Sequence, residues 1–174
     1  MQHQITHRYP MGRIKRIPEI TESYLPRSDS GWYVDLKIDG VGVSLQHDGD
    51  RWYCLTRSGM VVAATIPHFL DKKSVYRGEL WFPGVQPQSV LSNHGNILTL
   101  YDEIIAGDIT HAWLPQMVRR DYCEDIDSVR CVVAARLSHS GQSDGAIIRP
   151  AIHGIPFETK GGYYCHAVKF KGKR

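Results

Sequence analysis

No stretch of the 174 residues stays apolar for the roughly 18 positions that a bilayer-crossing helix needs, which argues against a transmembrane helix. The opening segment, MQHQITHRYPMGRIKRI, is polar and basic and lacks the apolar core of a secretory signal, so a cytoplasmic location is expected. Cysteine is scarce. Cys54, Cys123, Cys131 and Cys165 are scattered, and no pair has the spacing of a zinc site, so free thiols in a reducing compartment are expected. There is no internal repeat and no low-complexity segment. The nine histidines form no supportable Ser/His/Asp arrangement and read as surface residues. Charge of one sign is nearly balanced, at a net +3, which permits a nucleic-acid partner without demanding one.

What is present is a core-forming chain, 42% hydrophobic, of a length that suits one domain over residues 1–174. Basic residues gather near the start, in HRYPMGRIKR, and at the end, in KFKGKR. These are either two solvated termini or a surface that tracks phosphates. Strand signals dominate. WYVDLKI alternates, with Tyr33, Asp35 and Lys37 on one face and Trp32, Val34 and Leu36 on the other. VGVSLQH and RWYCLTR flank DGD as a hairpin; SVYRGELWF, NILTLYDEII, DGAIIRP and YYCHAVKFK read as further strands. VRCVVAARL suits a buried strand, with a helix as the alternative. The clearest helix signal is LPQMVRRDYCEDI, where Leu114, Met117, Val118 and Tyr122 follow helical spacing. Shorter turns are expected in VVAATIPHFL and QPQSVLSN. The expected class is α+β, with mostly antiparallel sheets flanking a cleft.

Polar residues recur at strand positions: Lys37 in LKIDG, Arg57 in LTRSG, Glu79 in YRGEL, Tyr101 in LYDEI, Asp144 in SDGAIIR, and Lys169 and Lys171 in AVKFK. Singly, each has an ordinary structural reading: an exposed lysine by a turn, a hairpin end, a solvated strand residue, a core aromatic. Collected around one cleft they would make a nucleotide site. An aromatic stacks on the base, carboxylates hold a divalent metal, and lysines and an arginine meet phosphates and ribose. A lysine amine attacks phosphorus only when unprotonated, a form that neighbouring cations and partial burial favour. The small Gly40 and Gly78 would let backbone and phosphate approach closely.

In this order, KIDG, RGEL, YDEI, DGAIIR and KFK resemble the motifs of the covalent nucleotidyltransferase superfamily, the polynucleotide ligases and mRNA capping enzymes. The resemblance runs from about Pro10 to Lys171. It implies that Lys37 is the nucleophile that forms a lysyl-nucleotide, and that Asp35 reads the adenine amino group. It further implies that Arg57 contacts ribose, Glu79 lies near ribose and metal, and Tyr101 stacks on the base. Asp144 is then a metal carboxylate, Lys169 and Lys171 serve the α-phosphate, and Asp39 supports the motif. Mg²⁺ or Mn²⁺ is the implied metal.

The branch signals are mixed. LKIDGVGVSLQHDGDRWYCLTRSG followed by YRGELWFP, PMGRIKRI and the aspartate at 144 are similar to NAD-dependent bacterial DNA ligases. YDEIIAGDITHAWLPQMVRR and KFKGK are closer to ATP-dependent ones. The implied donor is ATP, with NAD as the alternative, and Asp35 argues against a GTP-using capping enzyme. The implied partner is nucleic acid, nicked DNA ahead of RNA, in repair or replication. A non-catalytic nucleotide- or nucleic-acid-binding module is the reading from another class. The span from Tyr101 to Asp144 is short for a ligase, and the sequence stops soon after KFK. The expectation is therefore an adenylation domain without a C-terminal oligonucleotide-binding domain, the part that orients pyrophosphate in ATP-dependent ligases. Either this is an excised or naturally minimal core, or a separate protein supplies that part.

Overall fold

The computed structural model describes residues 13–105, 108–110, 113–138, 143–152, 157–159, 162–164 and 167–172, with backbone alone for 143–144, 157–159 and 162–164. Cys165 and, of the basic residues near the two ends, Arg8, Lys173 and Arg174 lie outside this set.

Three β-strands carry the amino-terminal half of the LKIDG region. β1 (Lys15–Arg16) is short, β2 (Trp32–Ile38) holds the alternating WYVDLKI, and β3 (Val41–His47) follows the Asp39–Gly40 turn. The expected hairpin joins β3 to β4 (Trp52–Thr56). Asp48 Oδ1 accepts from the backbone N–H groups of Asp50 and Arg51, and Gly49 takes a positive φ of 98° that suits a residue without Cβ. β5 (Val61–Val62) and β6 (Val75–Trp81) come next, then the one-turn helix α1 (Pro87–Val90). Pro87 opens α1, where its missing N–H costs nothing. β7 (Ile97–Ile105), β8 (Asp108–Thr110) and β9 (Arg120–Cys123) precede the helix α2 (Ile126–Ser138). β10 (Ser143–Pro150), β11 (Phe157–Thr159), β12 (Gly162–Tyr164) and β13 (Val168–Phe170) complete the chain.

Three of the expected elements differ. The segment from Leu114 forms no helix: it turns, then becomes β9, which pairs antiparallel with β2. The apolar run VRCVVAARL is the helix instead, inside α2. Asp125 starts it, accepting the Ser128 N–H on its side chain, and Val129, Val133 and Arg136 form its buried stripe. A short apolar run has no decisive period, and here the 13-residue length fits a helix better than a strand. YYCHAVKFK is likewise not one strand. Its first part, β12, pairs with β11 in a separate ribbon, and only β13 joins the main sheet.

The strands form a five-stranded sheet, ordered β1-β13-β10-β2-β9, and a six-stranded sheet, ordered β5-β4-β3-β6-β7-β8. All neighbours are antiparallel except β1 with β13. Helix α2 covers the outer face of the five-stranded sheet, where Val34, Ala146, Ile148 and Val168 pack on Val129 and Val133. The six-stranded sheet buries Val43, Leu45, Leu80, Leu98 and Leu100 on its own outer side, with Leu70 and Val90. Between the sheets lies a smaller cluster that includes Ile38, Val75, Tyr101, Ile104 and Ile147. The result is sheet-rich, with two helices among the described residues. No described helix is long and apolar enough to cross a membrane.

Candidate active site

The apolar layer between the sheets does not fill the gap at the end of β2. There a cleft of about 310 Å³ opens, walled by both sheets. Lys37 and Ile38 enter from β2, Arg77 and Glu79 from β6, and Tyr101 from β7. Ile147 and Arg149 enter from β10, Lys169 from β13, and Arg57 from the turn that follows β4. Strands far apart in sequence thus bring Lys37, Arg57, Glu79, Tyr101 and Lys169 to one place.

Strand parity directs these side chains. Glu79 faces the cleft across from Lys37, half-buried, and accepts a long hydrogen bond of 3.4 Å from the Tyr101 hydroxyl. Burial pushes the Glu79 carboxyl up to about 7, against the opposing effects of Lys37, Tyr101, the Gly40 N–H and Arg77. Tyr101 is only 6% exposed and belongs to the inter-sheet core while lining the cleft. Lys169 is half-buried, and its amine is pushed below its usual range by burial, then by Lys171, Lys37, Arg57 and Arg13. Lys171 stands two residues further on, half-buried, and bears on the cleft through that charge rather than as a lining residue. Arg57 is exposed.

Asp35 departs from expectation. It shares a face with Lys37, but it is fully buried and does not line the cleft. Arg120 grips it with both arms, Nε to Oδ1 at 2.6 Å and Nη2 to Oδ2 at 2.9 Å, and Arg149 Nε reaches Oδ2 at 3.0 Å. With guanidinium groups on both oxygens, the carboxylate is held as a scaffold and not presented to a base. A charge without solvent requires such pairing. Arg149 continues to Asp102, which Arg77 also approaches at 3.8 Å, and Arg120 Nη2 donates to the Tyr101 carbonyl at 3.0 Å. This seam ties β2, β9 and β10 of one sheet to β6 and β7 of the other.

Asp144 lies on β10 within a bulge. Pairing with β2 jumps from Ser143↔Ile38 to Ala146↔Leu36, which sets Asp144 and Gly145 beside the Lys37 position. Its side chain is outside the described set. Gly145 has a φ of 144° and lies against the Phe170 carbonyl, so a side chain there would collide with β13. Gly40 is small for a related reason: a Cβ would strike the Leu80 carbonyl of β6. The neighbouring strand therefore requires this glycine before any phosphate does.

Among the described residues no group of three or more His, Cys, Asp or Glu side chains could hold a metal. Glu79 is the carboxylate lining the cleft.

The sequence reading gave no role to Arg13, Arg77, Arg120 or Arg149. Arg77 and Arg149 stood inside the quoted RGEL and DGAIIR, so a signal existed. Arg13 was legible only as part of a basic stretch. Arg120 is positioned by β9, an element the sequence did not reveal.

No family model and no curated protein sequence matches this chain. Its structure nevertheless resembles solved ligases. Two forms of an archaeal ATP-dependent RNA ligase superpose with TM-scores of 0.61 and 0.62 at 15% identity, over 92% of this chain and 48% of theirs. A putative ATP-dependent DNA ligase from Aquifex aeolicus gives 0.57 at 15% identity, over 92% and 49%. A Lig E DNA ligase, described as a minimal scaffold, gives 0.53 at 14% identity, over 93% and 70%. The chain spans about half the length of the archaeal and Aquifex ligases. Over the matched region its fold is like that of these ligases.

Proposed function

We propose that this domain is the catalytic core of an ATP-dependent polynucleotide ligase, with nicked DNA as its substrate. The observation that carries the reading is the convergence of Lys37, Glu79, Tyr101 and Lys169, from four strands of two sheets, on one cleft rich in cations. Tyr101 and Ile147 offer the apolar inner surface that a purine base requires, and Arg57 serves the ribose. Lys37 Nζ, as the neutral amine, attacks the α-phosphorus of ATP. A P–N bond forms, the bond to the bridging oxygen breaks, and its electron pair leaves with pyrophosphate. The amine proton passes to solvent. AMP then moves from Lys37 to a 5′-phosphate, and a 3′-hydroxyl displaces it to seal the strand. Lys169, supported by Lys171, stabilises the charge that gathers on the phosphoryl oxygens. Mg²⁺ supplies further positive charge there when bound, with Glu79 and Asp144 as the carboxylates that would hold it.

The test is covalent labelling. The full chain, incubated with Mg²⁺ and ATP labelled in its α-phosphate, is expected to acquire acid-stable label that Lys37→Ala abolishes. NAD and GTP run in parallel decide the donor. No label from any donor overturns the enzymatic reading in favour of a binding module. The archaeal RNA ligase neighbours support a second reading, an RNA nick. Sealing of matched DNA and RNA nicks separates the two.

A further inference from the structure

The cations of the cleft are graded by depth. Arg77 and Arg149 are buried, Lys37 and Lys169 are half-buried, and Arg13 is exposed at the mouth. The inner arginines have Asp35 and Asp102, whereas no described carboxylate forms an ion pair with Arg13. Strand order gives Arg13 a definite side. Lys37 is on β2, and Lys169 is on β13, two strands across the sheet, about 10 Å at the usual strand spacing. β1 is the next strand beyond, with Arg16 opposite Lys169, and the chain before it brings Ile14 and Arg13 to the cleft. Arg13 thus enters from the side of Lys169 remote from Lys37. Transfer of a phosphoryl group requires its leaving oxygen opposite the attacking atom. With the α-phosphorus between Lys37 and Lys169, the departing group is directed toward β1.

We propose that Arg13 binds the β- and γ-phosphates of the nucleoside triphosphate and holds pyrophosphate in line for departure from the α-phosphorus. The inference rests on the ligase reading of the same cleft and adds a recognition element for the triphosphate. As the P–N bond to Lys37 forms, the electron pair of the breaking P–O bond settles on a pyrophosphate oxygen. The guanidinium, always charged and able to donate two parallel hydrogen bonds, suits that oxyanion.

The experiment compares ATP and AMP binding by calorimetry in the full chain and in Arg13→Ala. The variant is expected to lose about tenfold or more in affinity for ATP, the effect of one charged hydrogen bond, with AMP affinity unchanged. Arg13→Lys should recover part of the loss. In catalysis, Arg13→Ala should slow Lys37 loading from ATP by a similar factor and seal a pre-adenylated nick at the parental rate. Equal losses for ATP and AMP, or none, would overturn the proposal. So would a loss in sealing as large as the loss in loading, which would give Arg13 to the nucleic acid instead. A parental chain that takes label from no donor would refute the ligase reading alone, because the ATP-versus-AMP comparison still decides Arg13.

Discussion

At the inner end of the cleft three arginines, Arg77, Arg120 and Arg149, divide between them two carboxylates, Asp35 and Asp102, all shielded from water. Toward the mouth Arg13, Arg57, Lys37 and Lys169 gather around Glu79 alone among the described cleft carboxylates. The inner charges are nearly compensated, and their geometry joins strand to strand. The outer charges are mostly of one sign and more open to solvent, an arrangement that favours an anion. The same residue type is thus scaffold in one region and open to the cleft in the other, and burial with a paired carboxylate distinguishes the two.

The largest expected effect breaks this contrast at its inner end. Arg120→Ala leaves Asp35 buried with one of its two partners gone, and about 3–5 kcal/mol of stability should be lost. Arg57→Ala at the mouth should stay within about 0.5 kcal/mol. Denaturant midpoints for the two variants measure the difference, and equal midpoints would erase the distinction.

A middle-sized effect sharpens it at Tyr101, which belongs to both regions. Tyr101→Leu keeps an apolar side chain in the inter-sheet core but removes the aromatic face. Nucleotide affinity should fall by about 1–3 kcal/mol, by analogy with base–aromatic stacking. Unchanged affinity in a folded variant would make Tyr101 a core residue only.

The smallest effect concerns Glu79, where the two regions meet. Its folded-state carboxyl titrates near 7, above its ordinary value of 4.5, so the native state holds the proton more tightly than the unfolded chain. This contribution to stability is complete below the ordinary value and is lost as pH rises toward 7. Glu79→Gln should remove that slope. The melting temperature of the variant, relative to the parent, should rise across this window. A flat difference would show that burial does not raise the Glu79 carboxyl.

Much of the site was legible because strands encode it locally. WYVDLKI alternates, so Lys37 and Asp35 had to share a face; the DGD turn fixed the β3–β4 hairpin; and YRGEL and YDEI lay within clear strands. The same parity could not say which of two neighbours on a face reaches the cleft. Asp35 points toward the cleft side, but Arg120 arrives from β9 and Arg149 from β10 to cover it. Neither pairing is local: Asp35 and Arg120 are 85 residues apart. The exchanged assignment of helix and strand around 114–138 had a similar origin. Leu114, Met117, Val118 and Tyr122 have helical spacing by coincidence, and the pairing of β9 with β2 overrides it.

By itself, then, the sequence determined which residues bring charge and an aromatic ring to the cleft and on which strand faces most of them lie, because side-chain type and a two-residue period are local properties. Only the tertiary structure decided which charges are neutralised and which stay available. Asp35 is confined by arginines from distant strands, and Arg13 reaches the cleft because β1 adds to the sheet beside β13. Those outcomes depend on strand order and depth of burial, which no segment of the chain contains.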